Sequence, residues 1–112
     1  MRFEHAEPSS DKGWYLGSWN SDLAIAIGYA HKGINEPHLH TQLTEIYLIA
    51  RGTAEMRIEQ ETITLRAGDV IVLQPGEAHT FLSSSPDYFH FVLHTPSVAG
   101  DKSSVSNERL GL

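Results

Sequence analysis

Short hydrophobic runs separated by turn-forming residues recur along most of this chain. Apolar stretches of four to eight residues, bounded by Gly, Pro, Asn, Asp or Ser, are typical of β-strands. No stretch keeps apolar residues at helical spacing for more than two turns. The pattern predicts an all-β protein with strands at residues 14–19, 23–30, 45–51, 54–59, 62–65, 70–73, 79–82 and 88–94.

The length of 112 residues predicts a single domain, and one closed barrel would account for most of its residues. Residues 1–13 mix charged side chains with Pro8, two serines and Gly13, which is typical of an irregular N-terminal arm. Residues 14–96 contain the predicted strands of the barrel. Residues 97–112 are rich in Ser and poor in large apolar side chains, so we expect a loose C-terminal tail.

Composition narrows the possible chemistry. The chain has no cysteine, which excludes disulfides and cysteine-ligated zinc, so any metal must bind to nitrogen and oxygen. A net charge of -6 with scattered Lys and Arg argues against a nucleic-acid partner. No apolar run approaches the ~18 residues needed to span a membrane. The N-terminus also lacks an apolar signal core, which predicts a cytoplasmic protein.

Two histidines with one residue between them, His38 and His40, stand just before a predicted strand. On extended backbone both imidazoles point to the same side, about 6.5 to 7 Å apart, which suits two ligands of one metal. Glu45 opens the next strand, so a tight turn would return its carboxylate to the histidines. His79, which follows a Pro-Gly turn, is the natural third imidazole. These residues predict a metal site of three imidazoles and one carboxylate.

The spacing of these residues resembles the two sequence motifs of the cupin family. The first motif is Gly, five residues, His-x-His, three or four residues, Glu, six residues and Gly, and here His38, His40, Glu45 and Gly52 fall in register. The second appears as Gly68-Asp69, four residues, then Gln74-Pro75-Gly76 and His79. The resemblance covers roughly residues 24–95. It implies a single jelly-roll β-barrel, the cupin fold, with a cavity that holds one divalent metal ion.

The donor set suits Mn, Fe, Co, Ni, Cu or Zn, and it leaves one or two coordination positions for water or a ligand. An enzyme would use such a metal on a small oxygenated organic molecule, as a dioxygenase or an isomerase, although no general base is identifiable. The alternative is a non-enzymatic sensor or binding module for a sugar or similar small molecule. A third interpretation is a barrel in which the metal only stabilises the fold.

Two further groups of side chains bear on the cavity. Tyr47 lies two residues after Glu45 and is expected, with Phe81, to line the cavity, although a packing role for Tyr47 is equally compatible with the pattern. His90 and His94 share one strand face, and the apolar residues between and beside them, Phe89, Phe91 and Leu93, share the other. If the apolar face fills the barrel, both histidines face outward or into a partner.

The first two predicted strands, within residues 14–30, must either close a barrel edge or pair outward. Cupins similar to this chain often pair in that way. We therefore expect a homodimer. Trp14 and Trp19, five residues apart, would face opposite ways on a strand, one in the core and one over an edge or a dimer contact.

Overall fold

The computed structural model describes residues 1–112 and contains ten β-strands, one 3₁₀ turn and no α-helix, which confirms the all-β prediction. No helical segment has the length and apolar character required to cross a membrane. The strands are β1 (Lys12–Leu16), β2 (Ala26–Ala30), β3 (His38–His40), β4 (Thr44–Arg51), β5 (Thr53–Ile58), β6 (Glu61–Arg66), β7 (Val70–Leu73), β8 (His79–Ser84), β9 (Phe89–Thr95) and β10 (Lys102–Ser104).

The strands form two five-stranded sheets that face each other, the arrangement of a jelly roll. The first sheet has the order β1-β2-β9-β4-β7, and the second has the order β10-β3-β8-β5-β6. All strand pairs are antiparallel. The predicted single jelly-roll barrel is thus the observed fold, with β9 at the centre of the first sheet.

The strand β4 shows how the sequence selects its buried face. Its alternate residues Glu45, Tyr47 and Ile49 are buried, because side chains two apart on a strand share a face. The hairpin to β5 turns at Gly52, which has a φ of 72°. A Cβ at Gly52 would lie 2.9 Å from the Cα of Tyr88, so both conformation and space require glycine there.

The apolar core lies between the inner faces of the two sheets, which both contribute to one cluster of nine buried residues. Ile49 and Val92 come from the first sheet, and Met56 and Phe81 come from the second. Burial of these side chains from both sheets stabilises the closed form. Three members of the cluster, Tyr47, Phe81 and Val92, also line the cavity described below.

The strand β9 corrects one prediction, because the face expected to point outward points inward. His90 is 4 % exposed and Val92 is also buried, while Phe91 is 38 % exposed on the other face of the strand. The outer face is covered in part by the N-terminal arm, where the amide of Glu7 donates a hydrogen bond to the Tyr29 hydroxyl (2.8 Å). This cover explains why aromatic residues occupy the outside of the sheet.

The C-terminal segment corrects a second prediction, because it is ordered rather than loose. Strand β10 pairs with β3, so that Lys102 lies opposite His40. A 3₁₀ turn, Glu108–Leu110, then buries Leu110 completely. Backbone pairing and one well-placed apolar residue hold the segment although it is mostly polar.

Several strand boundaries also differ from the predicted ones. The first strand ends at Leu16, and Trp19 lies in the following turn, so the two tryptophans are not on one strand. The second strand begins only at Ala26. The strands β3 and β10, each three residues long, were not predicted because such short segments show no periodicity.

Candidate metal centre

The short strand β3 carries both histidines of the His-x-His sequence into the space between the sheets. His38 lies directly opposite His79 of β8 in the antiparallel register. His38 and His40 emerge on the same side of β3, with ring centroids 5.2 Å apart. Pairing between β3 and β8 therefore brings three imidazoles together from two strands.

Glu45, the second residue of β4, lies among these imidazoles and is 4 % exposed. One carboxylate oxygen, Oε1, lies 2.8 Å from Nε2 of His79 and 3.8 Å from Nε2 of His38. The other oxygen, Oε2, lies 2.5 Å from Nε2 of His94 and 3.3 Å from Nε2 of His40. All four residues predicted as metal ligands thus meet at one point, together with a fourth imidazole.

The donor atoms fall into two sets that share Glu45. Ligand atoms of His38, Glu45 and His79 lie within 4.8 Å of one another, and so do those of His40, Glu45 and His94. Each set has the nitrogen and oxygen donors that divalent transition metals prefer. The carboxylate connects the two sets into one candidate centre.

Hydrogen bonds on the outer side of two rings favour a cation between the imidazoles and Glu45. The Nδ1 of His38 lies 2.6 Å from the carbonyl oxygen of Glu36, and the Nδ1 of His79 lies 2.9 Å from that of Glu77. Because a carbonyl only accepts, Nδ1 carries the proton, and a neutral ring then directs the Nε2 lone pair at the carboxylate. Two facing acceptors repel each other unless a proton or a metal ion lies between them.

His40 supplies an independent sign of a missing partner. Both of its ring nitrogens are buried, and neither makes a hydrogen bond of normal geometry, although Nε2 lies 3.3 Å from Oε2 of Glu45. No other fully buried side-chain nitrogen or oxygen of the chain is left without a partner. An unpaired buried polar group costs about 1–3 kcal/mol, so the arrangement suits a residue that binds a metal ion.

The electrostatics of Glu45 keep it ionised. Burial opposes its negative charge, but the four surrounding imidazoles outweigh burial and hold the pKa of Glu45 well below its usual range. The Tyr47 hydroxyl donates a hydrogen bond to Oε1 of Glu45 over 3.0 Å. Burial and the adjacent carboxylate raise the pKa of Tyr47 well above its usual range, so this hydroxyl remains a donor.

His94 is the residue at this centre that the sequence did not reveal. It lies directly opposite Glu45 in the pairing of β9 with β4, which places its imidazole on the carboxylate. The only sequence signal was that His90 and His94 lie on the same face of one strand. The apolar residues on the other face of that strand were expected to point into the barrel, which placed both histidines on the outside. The register between β4 and β9, rather than spacing along the chain, identifies His94.

A cavity of about 530 Å³ adjoins the centre and extends between the sheets. Tyr47 and Phe81, the two residues expected to line it, both do so. His90 lines the cavity as well, and its Nδ1 lies 2.6 Å from the hydroxyl of Tyr88. The ring of His90 stacks on Phe81 at 5.3 Å, and burial lowers the pKa of His90 to about 4. This wall of the cavity therefore carries a neutral imidazole among aromatic rings.

The mouth of the cavity is lined by both tryptophans of the chain. Trp14 is 47 % exposed and lies edge-on to His94, with ring centroids 4.8 Å apart. The ring of Trp19 crosses that of Trp14 at 6.0 Å and packs on Gly17, where a Cβ would lie 1.9 Å from the indole. Neither tryptophan is a core residue, contrary to the expectation for one of them.

Two kinds of known protein are similar to this chain. A pectin degradation protein, KdgF, from Dickeya dadantii (strain 3937) is 31 % identical over 67 residues, which are 59 % of this chain. The chain spans 61 % of the length of that relative. The structure of KdgF from Halomonas sp. has a TM-score of 0.67 at 20 % identity and covers 88 % of this chain and 89 % of its own. The Streptomyces protein Pac13, a nucleoside dehydratase, has a TM-score of 0.68 at 12 % identity and covers 92 % of each chain.

The family comparison agrees with the fold and with the histidine-rich centre. Residues 27–95, from β2 to the end of β9, match the cupin domain family. This region includes His38, His40, Glu45 and His79 and covers more than half of the chain. The chain belongs to the cupin family.

Proposed function

We propose that this chain is a metal-binding small cupin that acts on a small oxygenated organic molecule through one divalent ion. The ion would be held by His38, His40, Glu45 and His79. The observation that carries the proposal is His40, whose two buried ring nitrogens make no hydrogen bond of normal geometry although Nε2 lies beside the ionised carboxylate of Glu45. A buried imidazole without a partner is unfavourable in the absence of a ligand for it.

The donor set supports a transition metal of the group Mn, Fe, Co, Ni, Cu and Zn, since it contains imidazole and carboxylate but no thiolate. When bound, such an ion supplies Lewis-acid or oxygen-binding chemistry, suited to isomerisation or dioxygenation. Glu45 lies at the centre and is assigned to the metal. We therefore assign no general base to the reaction.

The cavity residues would bind and orient the organic ligand. Tyr47 presents a buried hydroxyl beside Glu45, and Phe81 and His90 form an aromatic wall further inside. A cavity of about 530 Å³ accommodates a molecule of the size of a monosaccharide or a substituted aromatic ring. The apolar wall would exclude water from the bound molecule.

Catalysis rather than sensing is supported by the relatives, whose names describe a role in pectin degradation and a nucleoside dehydratase. The test begins with protein purified without chelators and reconstituted with each candidate metal in turn. Sugars, phenolics and keto acids are then incubated with it in air and under argon, and products are followed by mass spectrometry. Turnover with one class of compound is expected. Tight binding without turnover would instead identify a sensor, and an ion that no ligand reaches would identify a purely structural metal.

We also propose that two copies of the chain associate through the first sheet. Its two edges are β1 and β7, and β7 exposes the apolar side chains of Val70 and Val72. Exposed apolar edge strands are commonly covered by a partner. Light scattering at micromolar concentration should give twice the chain mass of 12.4 kDa, and the double substitution of Val70 and Val72 by Lys should give the monomer. A wild-type monomer would contradict this proposal without affecting the metal site.

A further inference from the structure

Asp101 lies in the segment that precedes β10, and its carboxylate is buried against the turn between β3 and β4. Oδ1 accepts hydrogen bonds from the amide and the hydroxyl of Thr41 (3.1 and 2.5 Å). Oδ2 accepts from the amides of Gln42 and Leu43, both at 3.1 Å. This turn joins His40 to Glu45, so a residue of the C-terminal segment holds the connection between two proposed metal ligands.

The same carboxylate also faces the side chain of His40. Oδ2 of Asp101 lies 3.8 Å from Nδ1 of His40, just beyond hydrogen-bond distance, and the Asp101 side chain is 1 % exposed. No other acceptor serves Nδ1 of His40. Asp101 directly precedes Lys102, the residue of β10 that pairs with His40, and the 3.8 Å separation shows that its carboxylate reaches the ring.

The three proposed histidine ligands therefore differ in the acceptor that faces Nδ1, the ring nitrogen on the side away from Glu45. In His38 and His79 the Nδ1 already bonds to the carbonyl oxygen two residues earlier. In His40 the nearest acceptor is a carboxylate from a distant part of the chain. A histidine that binds a metal through one nitrogen almost always donates its other N–H to a carboxylate or carbonyl, which fixes the tautomer and the orientation of the ring.

We infer that Asp101 is a positioning residue for the metal centre, which accepts the Nδ1–H of His40 when Nε2 binds the ion. This inference rests on the proposed metal site. A buried anion behind the ring increases the basicity of the ligand nitrogen, and the bond closes by a movement of less than about 1 Å. The C-terminal segment is thereby coupled to the metal, since β10 and the ligand turn share one carboxylate.

Asp101→Asn tests the inference with a small change. An amide oxygen in place of Oδ2 still accepts from the amides of Gln42 and Leu43, whereas the NH2 group in place of Oδ1 can only donate, to the Thr41 hydroxyl. The negative charge behind His40 is removed. Thr41→Val is the matched control, since it removes the shortest bond of Asp101 to the turn and leaves the path to His40 intact. Competition titration of Zn and Cu should show binding about 10 to 100 times weaker in Asp101→Asn, as is typical of residues that orient a ligand. The loss of metal affinity in Thr41→Val should be no more than about a tenth of the loss in Asp101→Asn.

A spectroscopic measurement separates positioning from general destabilisation. In the Cu-loaded protein, pulsed EPR detects the remote nitrogen of each bound imidazole, and its quadrupole coupling depends on the hydrogen bond of that N–H. Asp101→Asn should alter the coupling of one imidazole, and Thr41→Val should alter none. If Asp101→Asn fails to fold, proton NMR of the wild-type Zn protein tests the inference instead. A downfield, slowly exchanging signal from the Nδ1–H of His40 is then expected.

The outcomes distinguish this inference from the proposed function. Wild-type protein that binds metal, together with an equally tight Asp101→Asn and unchanged couplings, would overturn the role of Asp101 alone. Equal losses in Asp101→Asn and Thr41→Val would assign Asp101 to the turn and also overturn it, as would a rapidly exchanging Nδ1–H. A wild-type chain that binds no ion would overturn both proposals.

Discussion

The cavity is lined by imidazoles in two different environments. At one end His38, His40, His79 and His94 surround the single carboxylate of Glu45. At the other end His90 is stacked on Phe81 and bonded to the hydroxyl of Tyr88. The first environment places a negative charge at the ligand nitrogens, whereas the second provides only aromatic faces and one hydroxyl.

The difference shows what each environment selects. A carboxylate among imidazoles favours a positive charge between them, which a proton or a metal ion can supply. Burial among aromatic rings disfavours charge, so His90 stays neutral with a pKa of about 4. Two groups of the same residue type in one cavity are thus suited to different tasks, metal binding and contact with an uncharged part of a ligand.

The substitution with the largest expected effect on this contrast removes one of the histidines that surround Glu45. His79→Ala should weaken metal binding by more than about 100-fold, beyond the range of residues that only orient a ligand. Elemental analysis after reconstitution and competition titration measure the loss. His5→Ala, which changes an exposed histidine of the arm, is the control and should bind like the wild type. A His79→Ala protein that retains its metal would remove the proposed ligand set.

The next test concerns acid and the neutral end of the cavity. His90 has a folded pKa of about 4, below the value near 6.5 of an unfolded chain, so the unfolded state binds more protons between these values. Stability contributed by His90 is therefore lost as pH falls through this window, by about 1.5 kcal/mol from pH 6.5 to 5. Urea unfolding of metal-free protein measures it. His90→Gln should show a correspondingly shallower pH dependence, and His5→Gln should not; equal slopes in all three would refute the neutral burial of His90.

Glu45→Gln tests how much the negative charge of the carboxylate contributes to metal binding. The amide oxygen can still coordinate but brings no charge, so metal affinity should fall by roughly tenfold, less than for loss of a histidine. Isothermal titration against the same metal gives the ratio. An affinity equal to that of the wild type would mean that the carboxylate does not contact the ion.

The smallest expected effect is at the hydrogen bond behind His90. Tyr88→Phe leaves Nδ1 of His90 without its partner and should cost about 1 kcal/mol of unfolding free energy at neutral pH. Metal affinity should not change, because this pair lies at the other end of the cavity. Tyr15→Phe, at a half-buried tyrosine whose hydroxyl makes no hydrogen bond, serves as the control. A fall in metal affinity in Tyr88→Phe would show that the two ends are not independent.

The sequence predicted the all-β class from local patterns, and its resemblance to the two cupin motifs implied the barrel and the meeting point of four side chains. The alternation in β4 and the extended His-x-His segment determine which way Glu45, His38 and His40 point. His79 could be placed because a Pro-Gly turn precedes its strand. These features depend on a few neighbouring residues, and tertiary structure did not change them.

The residues that the sequence misplaced depend on distant contacts. His90 and His94 lie on the central strand of a sheet whose inner face packs on the second sheet and whose outer face is covered in part by the N-terminal arm, so apolar residues occur on both faces of the strand. Asp101 was assigned to a loose tail because pairing of β10 with β3 leaves no periodicity in three residues. Register between strands far apart in sequence decides such positions, and a single sequence does not contain it.

The position of the tryptophans gives the protein a built-in optical reporter. Both indoles of the chain stand at the mouth of the cavity, and one of them touches His94. Tryptophan emission, excited at wavelengths that tyrosine does not absorb, therefore originates entirely from the mouth of the cavity. Excitation of unlabelled protein would follow the arrival of a ligand in real time, without a dye and without knowledge of the reaction product.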